Sequence, residues 1–564
     1  MNEAPPAARA AANRQRAGPA AFSGWEADAA AAFAIVAVTG VLYWSIRRLW
    51  WMSDDFFHLR FLSTHSMNAI LFDPAAWRDV PFRMFTPGLF LSLALDRRVG
   101  GLDPGRFYFH QLASAAIAGA ALYFALRGKL SRLSAAGATF LAILGLPMCR
   151  TVSLLCERHY IDGLAAAAVA LLLELRVRQR AGRILSAGAY FAAMCAKEVY
   201  APLIILFAAL AEGNLRTRVR RLFPHGVAFV VYLGWRWKML GTLGGGYGWA
   251  ISPDARLGTL ARLLPAMLRT LTEGRMTAAI AVAFMLLAGL KWVVDSGRIA
   301  AASALALAAL LPIVPVASAV GGRHGLLASA LLAAAFGAAA DHASRGRIGP
   351  RAVLLGIPLA LLIVANRAAW REESAFNRRM SAEGRAYRRL GAKDALSHPA
   401  LPPAAMGELA WVESHVFRRP AEGRWFYDGI YLCGPGANRR AWAYDAATGG
   451  VRPISEPSAD RQRAACSPLG NGGALSAEFR VRGSDLFWTF GPYASGYRIV
   501  LDEGAGAYDV PREAGYQLGG LPAVRMRVAY RSPGGRATYS PVLTIPLGRD
   551  AVWRWQRGAR PDSP

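Results

Sequence analysis

The sequence predicts a polytopic α-helical membrane protein with a C-terminal region of mixed and then all-β structure. Three observations predict it. Of 564 residues, 54% are hydrophobic and only 18% charged, a membrane rather than a soluble composition. Ala- and Leu-rich runs recur as far as about residue 367, separated by short basic clusters. From Asn366 onward the runs stop, and short alternating segments bounded by turn residues take over.

Along the chain, residues 1–28 carry Ala, Pro, Arg9, Arg14 and Arg16 and read as a disordered basic cytoplasmic tail. The run from Ala29 to about Ile46 is too long for a signal peptide and lacks a convincing cleavage site, so it reads as a retained span. Further apolar runs fall at 107–126, 133–148, 161–175, 184–196, 199–212, 224–240, 277–294, 299–319, 325–341 and 352–367. With about eleven spans, the basic clusters near 127–132, 176–183, 216–221, 291–298 and 345–351 all lie inside, as positively charged loops should. Both flanks of 183–212 are basic, so Lys197-Glu198 and Pro202 read as the turn of a helical hairpin reaching the outer face. Arg47, Arg48, Arg97, Arg98, Arg256 and Arg262 then lie outside, on a face that handles an anion.

Net charge is +28, but the arginines are spread between apolar runs rather than gathered on a polar domain, which argues against nucleic-acid binding. Of the five cysteines, Cys149, Cys156 and Cys195 lie in or beside apolar runs without metal-ligand spacing, whereas Cys433 and Cys466 could pair outside or remain free thiols.

Beyond the spans (29–368), residues 369–473 read as an outer α+β region, with a charged helix over 370–400 and strand-like alternation over 424–454. Residues 474–547 give short strands at regular spacing. They look like a fibronectin type III β-sandwich with Trp488 in its core, followed by a tail over 548–564.

The stretch Trp51-Met52-Ser53-Asp54-Asp55-Phe56-Phe57-His58 opens the first outer loop, 48–106. Adjacent carboxylates in an aromatic setting are costly to desolvate unless they have partners or a task. The plainer alternative is that they cap the amphipathic helix that follows, which stabilises it by about 1 kcal/mol. Glu157, Arg158 and Asp162 form an acid-base cluster on the second outer loop, open to an internal salt bridge or to an acceptor contact. His110 sits beside aromatics where a packed interfacial histidine is expected. The glycines of 241–249 lack the Gly-Lys-Ser/Thr end of a phosphate loop and read as a mobile outer loop before an interfacial helix with Arg256, Arg262 and Arg269.

Several landmarks recur in a shared order: the acidic pair; Phe82-Arg83-Met84-Phe85-Thr86-Pro87; Leu102-Asp103-Pro104 leading into Phe107 to Leu112; Ala196-Lys197-Glu198; and Gly322-Arg323-His324. In that order the sequence resembles GT-C fold glycosyltransferases of the protein mannosyltransferase and lipid A aminoarabinose transferase kind, over about residues 40–340. It departs where Arg83 is not followed by proline and Arg323 is followed by His rather than Tyr.

The resemblance implies a GT-C type membrane fold that takes a sugar from polyprenyl phosphate to an acceptor (lipid, glycan or protein) across a bacterial inner membrane, with inversion. It implies Asp54 as general base, and Asp55 to position the acceptor or, with Asp54, to hold Mg²⁺ or Mn²⁺. Arg83, Lys197, Glu198 and Arg323 would contact the donor phosphate, with His110, Glu157, Arg158 and Asp162 in reserve. The N-terminus would be cytoplasmic and the C-terminal domain periplasmic. Two rivals come from other classes. A transporter or flippase of lipid-linked saccharide would favour matched broken helices in two halves, and a non-catalytic scaffold would bind glycan or protein through the outer domain.

Overall fold

The computed structural model describes residues 24–78, 80, 84–177, 179–243, 253–312, 322–419, 422–428, 430–431, 439–455, 474–482, 485–501, 504–517, 522–533 and 537–556. They form two compact units, Met1–Leu49 with Thr64–Ser374, and Trp50–Ser63 with Ala375–Pro564.

The chain enters through α1 (Gly24–Tyr43), which begins inside the expected tail, before Ala29, and runs into a 3₁₀ turn at Trp44–Arg48. Its start is pinned by Asp28, which accepts from Tyr123 at 2.7 Å and from Arg127 and Arg132 at 2.9 Å each. Short helices follow: α2 (Asp55–Thr64), α3 (Met67–Phe72), α4 (Pro74–Arg78) and α5 (Pro87–Gly100). Next come α6 (Pro104–Leu126), whose first turn is capped by Asp103, α7 (Arg132–Leu144), capped by Ser131, and α8 (Leu146–Val152). The 54° bend between α7 and α8 has a local cause: Gly145 is extended and Pro147 has no N–H to continue the ladder.

The helical series continues through α9 (Arg158–Arg176), α10 (Arg180–Ala196), α11 (Leu203–Leu210) and α12 (Leu215–Leu240). It is completed by α13 (Pro253–Thr272), α14 (Met276–Ser296), α15 (Ile299–Leu310), α16 (Leu326–Ala343) and α17 (Ile348–Tyr387). Helix α6 packs on α1 and α9, α10 on α9 and α12, and α16 on α7 and α14. Each apolar run of the sequence coincides wholly or in part with a helix. Among the described residues five helices are long and apolar enough to cross a membrane, six if α7 and α8 count as one bent span. Their outward faces carry Phe33, Val41, Leu287 and Val294, all largely exposed, as a surface turned to hydrocarbon does. The chain is a multi-pass membrane protein.

Helix α17 does not stop at residue 367 and continues to Tyr387. The charged helix expected over 370–400 is therefore its extension as far as 387, and the segment then becomes a strand, β1 (Asp394–Ser397). Strand β1 pairs in parallel with β2 (Arg424–Phe426), reached through α18 (Pro403–His415), and with β3 (Arg440–Asp445), which turns back into β4 (Gly450–Pro453).

Two further sheets face each other across a core of Phe479, Val481, Trp488, Phe490, Met526 and Val528. One has the order β13–β5–β6–β9, from β5 (Ser476–Arg482), β6 (Asp485–Gly491), β9 (Glu513–Gln517) and β13 (Ala551–Gln556). The other has the order β11–β10–β7–β8, with β12 also on β10, from β7 (Tyr497–Leu501), β8 (Gly506–Val510), β10 (Ala523–Arg531), β11 (Ala537–Tyr539) and β12 (Leu543–Pro546). Strand β13 lies in the segment expected to be a tail, because alternate residues of Ala551–Gln556 complete the edge beside β5. Buried Asp428 joins the two β regions, accepting from Tyr539 at 2.5 Å and lying 3.6 Å from Arg498.

Candidate functional site

The acidic pair divides into two environments. Ser53 takes a left-handed φ of 52°, which turns the chain so that the Asp54 carbonyl accepts from His58 N at 3.0 Å and starts α2. The Asp55 side chain is buried and folds back, accepting from Met52 N at 2.8 Å. The Asp54 side chain is exposed. Asp55 thus closes the turn that precedes α2, while Asp54 is exposed at its surface. His58, one turn along, is buried, and desolvation holds its imidazole down at about 3.

As a cation site the pair fits poorly. Among the described residues no three His, Cys, Asp or Glu side chains gather as a metal-binding group, and one oxygen of Asp55 is committed to a backbone N–H. A hard divalent cation takes six or more oxygens, so the two carboxylates would leave most of the shell to other donors.

A second cluster is built within the helical unit. Helix α10 ends at Ala196, and a short 3₁₀ turn at Glu198–Tyr200 separates it from α11, so the segment 183–212 is broken as the hairpin reading expects. Two glycines make the break possible. A Cβ on Gly88 would stand 2.9 Å from Ala196 N, so the start of α5, just after Thr86-Pro87, presses against the end of α10. A Cβ on Gly163 would stand 2.2 Å from the Tyr200 ring, so that ring fills the notch in α9, and its hydroxyl donates to the Tyr160 carbonyl. These contacts hold buried Lys197 with its ammonium 5.5 Å from the Tyr160 ring centroid and 3.2 Å from Glu198. Glu198 also lies 3.8 Å from Arg236 of α12. In the 3₁₀ turn Gly322–Gly325, Arg323 pairs with Glu157 at 2.6 Å, and His324 meets the edge of the same Tyr160 ring. Tyr160, between Lys197 and His324, thus links the Lys197–Glu198–Arg236 group to the Arg323–Glu157 pair.

The remaining candidates separate. Arg158 is fully buried and bonds Asp96 and the Phe107 carbonyl. His110 joins the same Asp96 at 2.7 Å. Glu157 and Arg158 therefore face different partners, and the internal salt bridge between them does not form. Asp162 has one buried carboxylate oxygen with no hydrogen-bond partner among the described residues. Arg83, Cys433 and Cys466 lie outside the described residues, as do 244–249 of the glycine-rich loop; Gly241, with φ 71°, ends α12.

Sequence reasoning missed Arg236, Asp96 and Gln111. Arg236 had a signal, an arginine inside the apolar run 224–240. Asp96 had none beyond its neighbours Arg97 and Arg98. Gln111 binds the carbonyls of Thr151, Val152 and Leu154 at 2.9–3.2 Å and fixes the loop leading to Glu157.

No protein-family model matches the chain, and no curated protein sequence does. Among solved structures it is similar to ArnT from Cupriavidus metallidurans in the apo state, at 11% identity and a TM-score of 0.44, covering 78% of this chain and 94% of that one. It is also similar to the Archaeoglobus fulgidus oligosaccharyltransferase in a complex with Zn and sulfate, at 12% identity and a TM-score of 0.40, covering 81% of this chain and 72% of that one. The archaeal oligosaccharyltransferase AglB with an inhibitory peptide and a dolichol-phosphate aligns at 12% identity and a TM-score of 0.39, covering 86% and 76%.

Proposed function

We propose that the protein is an integral-membrane glycosyltransferase that moves a sugar from a polyprenyl-phosphate carrier to an extracytoplasmic acceptor, with inversion at the anomeric carbon. The observation that carries this reading is the grouping of buried Lys197 and Arg236 with half-buried Arg323 around Tyr160, Glu198 and Glu157. Three cations set against two carboxylates leave an excess of positive charge that favours an anion, and a lipid-linked phosphate is an anion that reaches such a site from the bilayer. Charge-assisted hydrogen bonds from these groups stabilise the charge that builds on the phosphate as it leaves.

Exposed Asp54 takes the role of general base, removing the proton from an acceptor hydroxyl as its oxygen attacks the anomeric carbon. The bond from that carbon to the phosphate oxygen breaks, and polyprenyl phosphate departs with the electron pair. Asp55 holds the turn that presents Asp54, and no step is routed through a cation. Arg83 is retained as a further phosphate contact on the motif alone, and Glu198 as the group that places Lys197.

The reading extends to about eleven spans, counting α9 to α12 and α15, with a cytoplasmic N-terminus, a periplasmic C-terminal region and a bacterial inner membrane as its location. The sandwich is read as fibronectin type III-like, a reading supported by its strand order and by Trp488 in its core.

The test is glycosyl transfer in proteoliposomes from a panel of radiolabelled polyprenyl-phosphate sugars, comparing wild type with Asp54→Asn. Product with wild type, lost in the variant while carrier binding persists, supports the assignment. Full activity in the variant would remove Asp54 from it.

A further inference from the structure

In this structure each cation of the proposed phosphate site is already engaged by a neighbouring carboxylate. Arg323 is held by Glu157 at 2.6 Å, Lys197 by Glu198 at 3.2 Å, and Arg236 faces Glu198 at 3.8 Å. The two carboxylates come from different parts of the chain, one at the start of α9 and one in the turn between α10 and α11. Glu157 and Lys197 are buried, whereas Glu198 and Arg323 are each about 30% exposed by side chain. Each pair therefore keeps one member partly exposed at the edge of the cluster.

We infer that Glu157 and Glu198 are internal surrogate anions, which occupy the phosphate-binding cations when no lipid phosphate is bound and reclaim them to expel the product. The inference rests on the donor-phosphate reading and concerns how that site is regulated. An incoming phosphate must displace the carboxylates, so its apparent affinity is lowered by the fraction of time for which the cations are unoccupied. The donor, a phosphodiester, carries one negative charge. The product monoester carries close to two, since its second ionisation lies near pH 6. Unopposed cations would hold the product more tightly than the donor and turnover would stall at release. Carboxylates already attached to the scaffold compete with the product and lower that barrier.

The experiment titrates full-length protein in nanodiscs with polyprenyl monophosphate, with inorganic phosphate as the headgroup control, for wild type, Glu157→Gln, Glu198→Gln and Arg323→Gln. In the two Glu variants the glutamine keeps the size and removes the competing charge. Both Glu variants should bind polyprenyl monophosphate about tenfold more tightly, with KM and kcat for transfer falling together. Arg323→Gln should bind about tenfold more weakly. A gain in affinity is not what damage to a merely structural ion pair produces, so equal or weaker binding in both Glu variants overturns the inference. Wild type that binds and transfers sugar while neither Glu variant binds more tightly leaves the transferase reading standing without the inference. Tightening without any transfer by wild type preserves the competition between carboxylates and phosphate but removes the transferase reading and with it product expulsion, and absence of binding by every protein removes both.

Discussion

Two adjacent aspartates of identical chemistry are given different surroundings beside one left-handed residue. Ser53 at φ 52° turns the Asp55 carboxylate back to Met52 N and leaves Asp54 in solvent. Asp54→Asn should therefore lower transfer by about 10²–10⁴-fold, the usual contribution of a general base, without changing the melting temperature. Asp55→Asn should behave in the opposite sense. It weakens a capping bond worth about 1 kcal/mol, which lowers the melting temperature and affects activity only through the placement of Asp54. His58 supplies the pH test at this scale. Burial holds it at about 3 against an ordinary 6.5, so between these values the unfolded chain takes up a proton that the folded chain refuses. Stability is full above pH 6.5 and is lost as pH falls through that window. Melting temperatures measured from pH 7.5 to pH 5 should fall more steeply for wild type than for His58→Gln.

At the scale of elements, the site depends on how closely α9 and the α10–α11 turn approach. Gly163→Ala places a methyl group 2.2 Å from the Tyr200 ring, an overpacking that costs about 1–3 kcal/mol. It also shifts the turn that carries Lys197 and Glu198. The expected result is a lower melting temperature together with weaker carrier binding. A double-mutant cycle with Tyr200→Ala should be non-additive, because the second change empties the notch. The joint between α5 and α9 is electrostatic: fully buried Arg158 is matched by Asp96. Asp96→Asn leaves that guanidinium uncompensated and should destabilise the fold by about 3–5 kcal/mol, read by thermal denaturation. Its full burial against Asp96 and the Phe107 carbonyl gives Arg158 a packing role in this fold.

At the scale of the whole molecule, the proposed orientation makes a direct prediction. Single cysteines introduced at Lys129 and at Arg452, in a background without native thiols, should differ in intact spheroplasts. The second should react with an impermeant maleimide and the first only after lysis. Labelling of both from outside would overturn the span parity.

What the sequence by itself determined is whatever rests on composition and periodicity: the membrane class, the helix in each apolar run, the interruption at Lys197-Glu198, the change to β structure and Trp488 in a core. These are local or additive properties, since desolvation acts on each run and alternation on each strand. Segment ends were less legible. Gly24–Tyr43 and Ala551–Gln556 lie partly or wholly in segments that read as tails, because their partners, the Asp28 cluster and β5, lie far along the chain. The site was half legible. Lys197, Glu198, Arg323 and Glu157 could be singled out, but which acid meets which base could not. Glu157 and Arg158 are adjacent in sequence yet turn to Arg323 and Asp96 because successive side chains of a helical start point in different directions. Only the tertiary structure decided those pairings, since an ion pair between residues 166 positions apart is specified by the packing of helices and not by any local pattern.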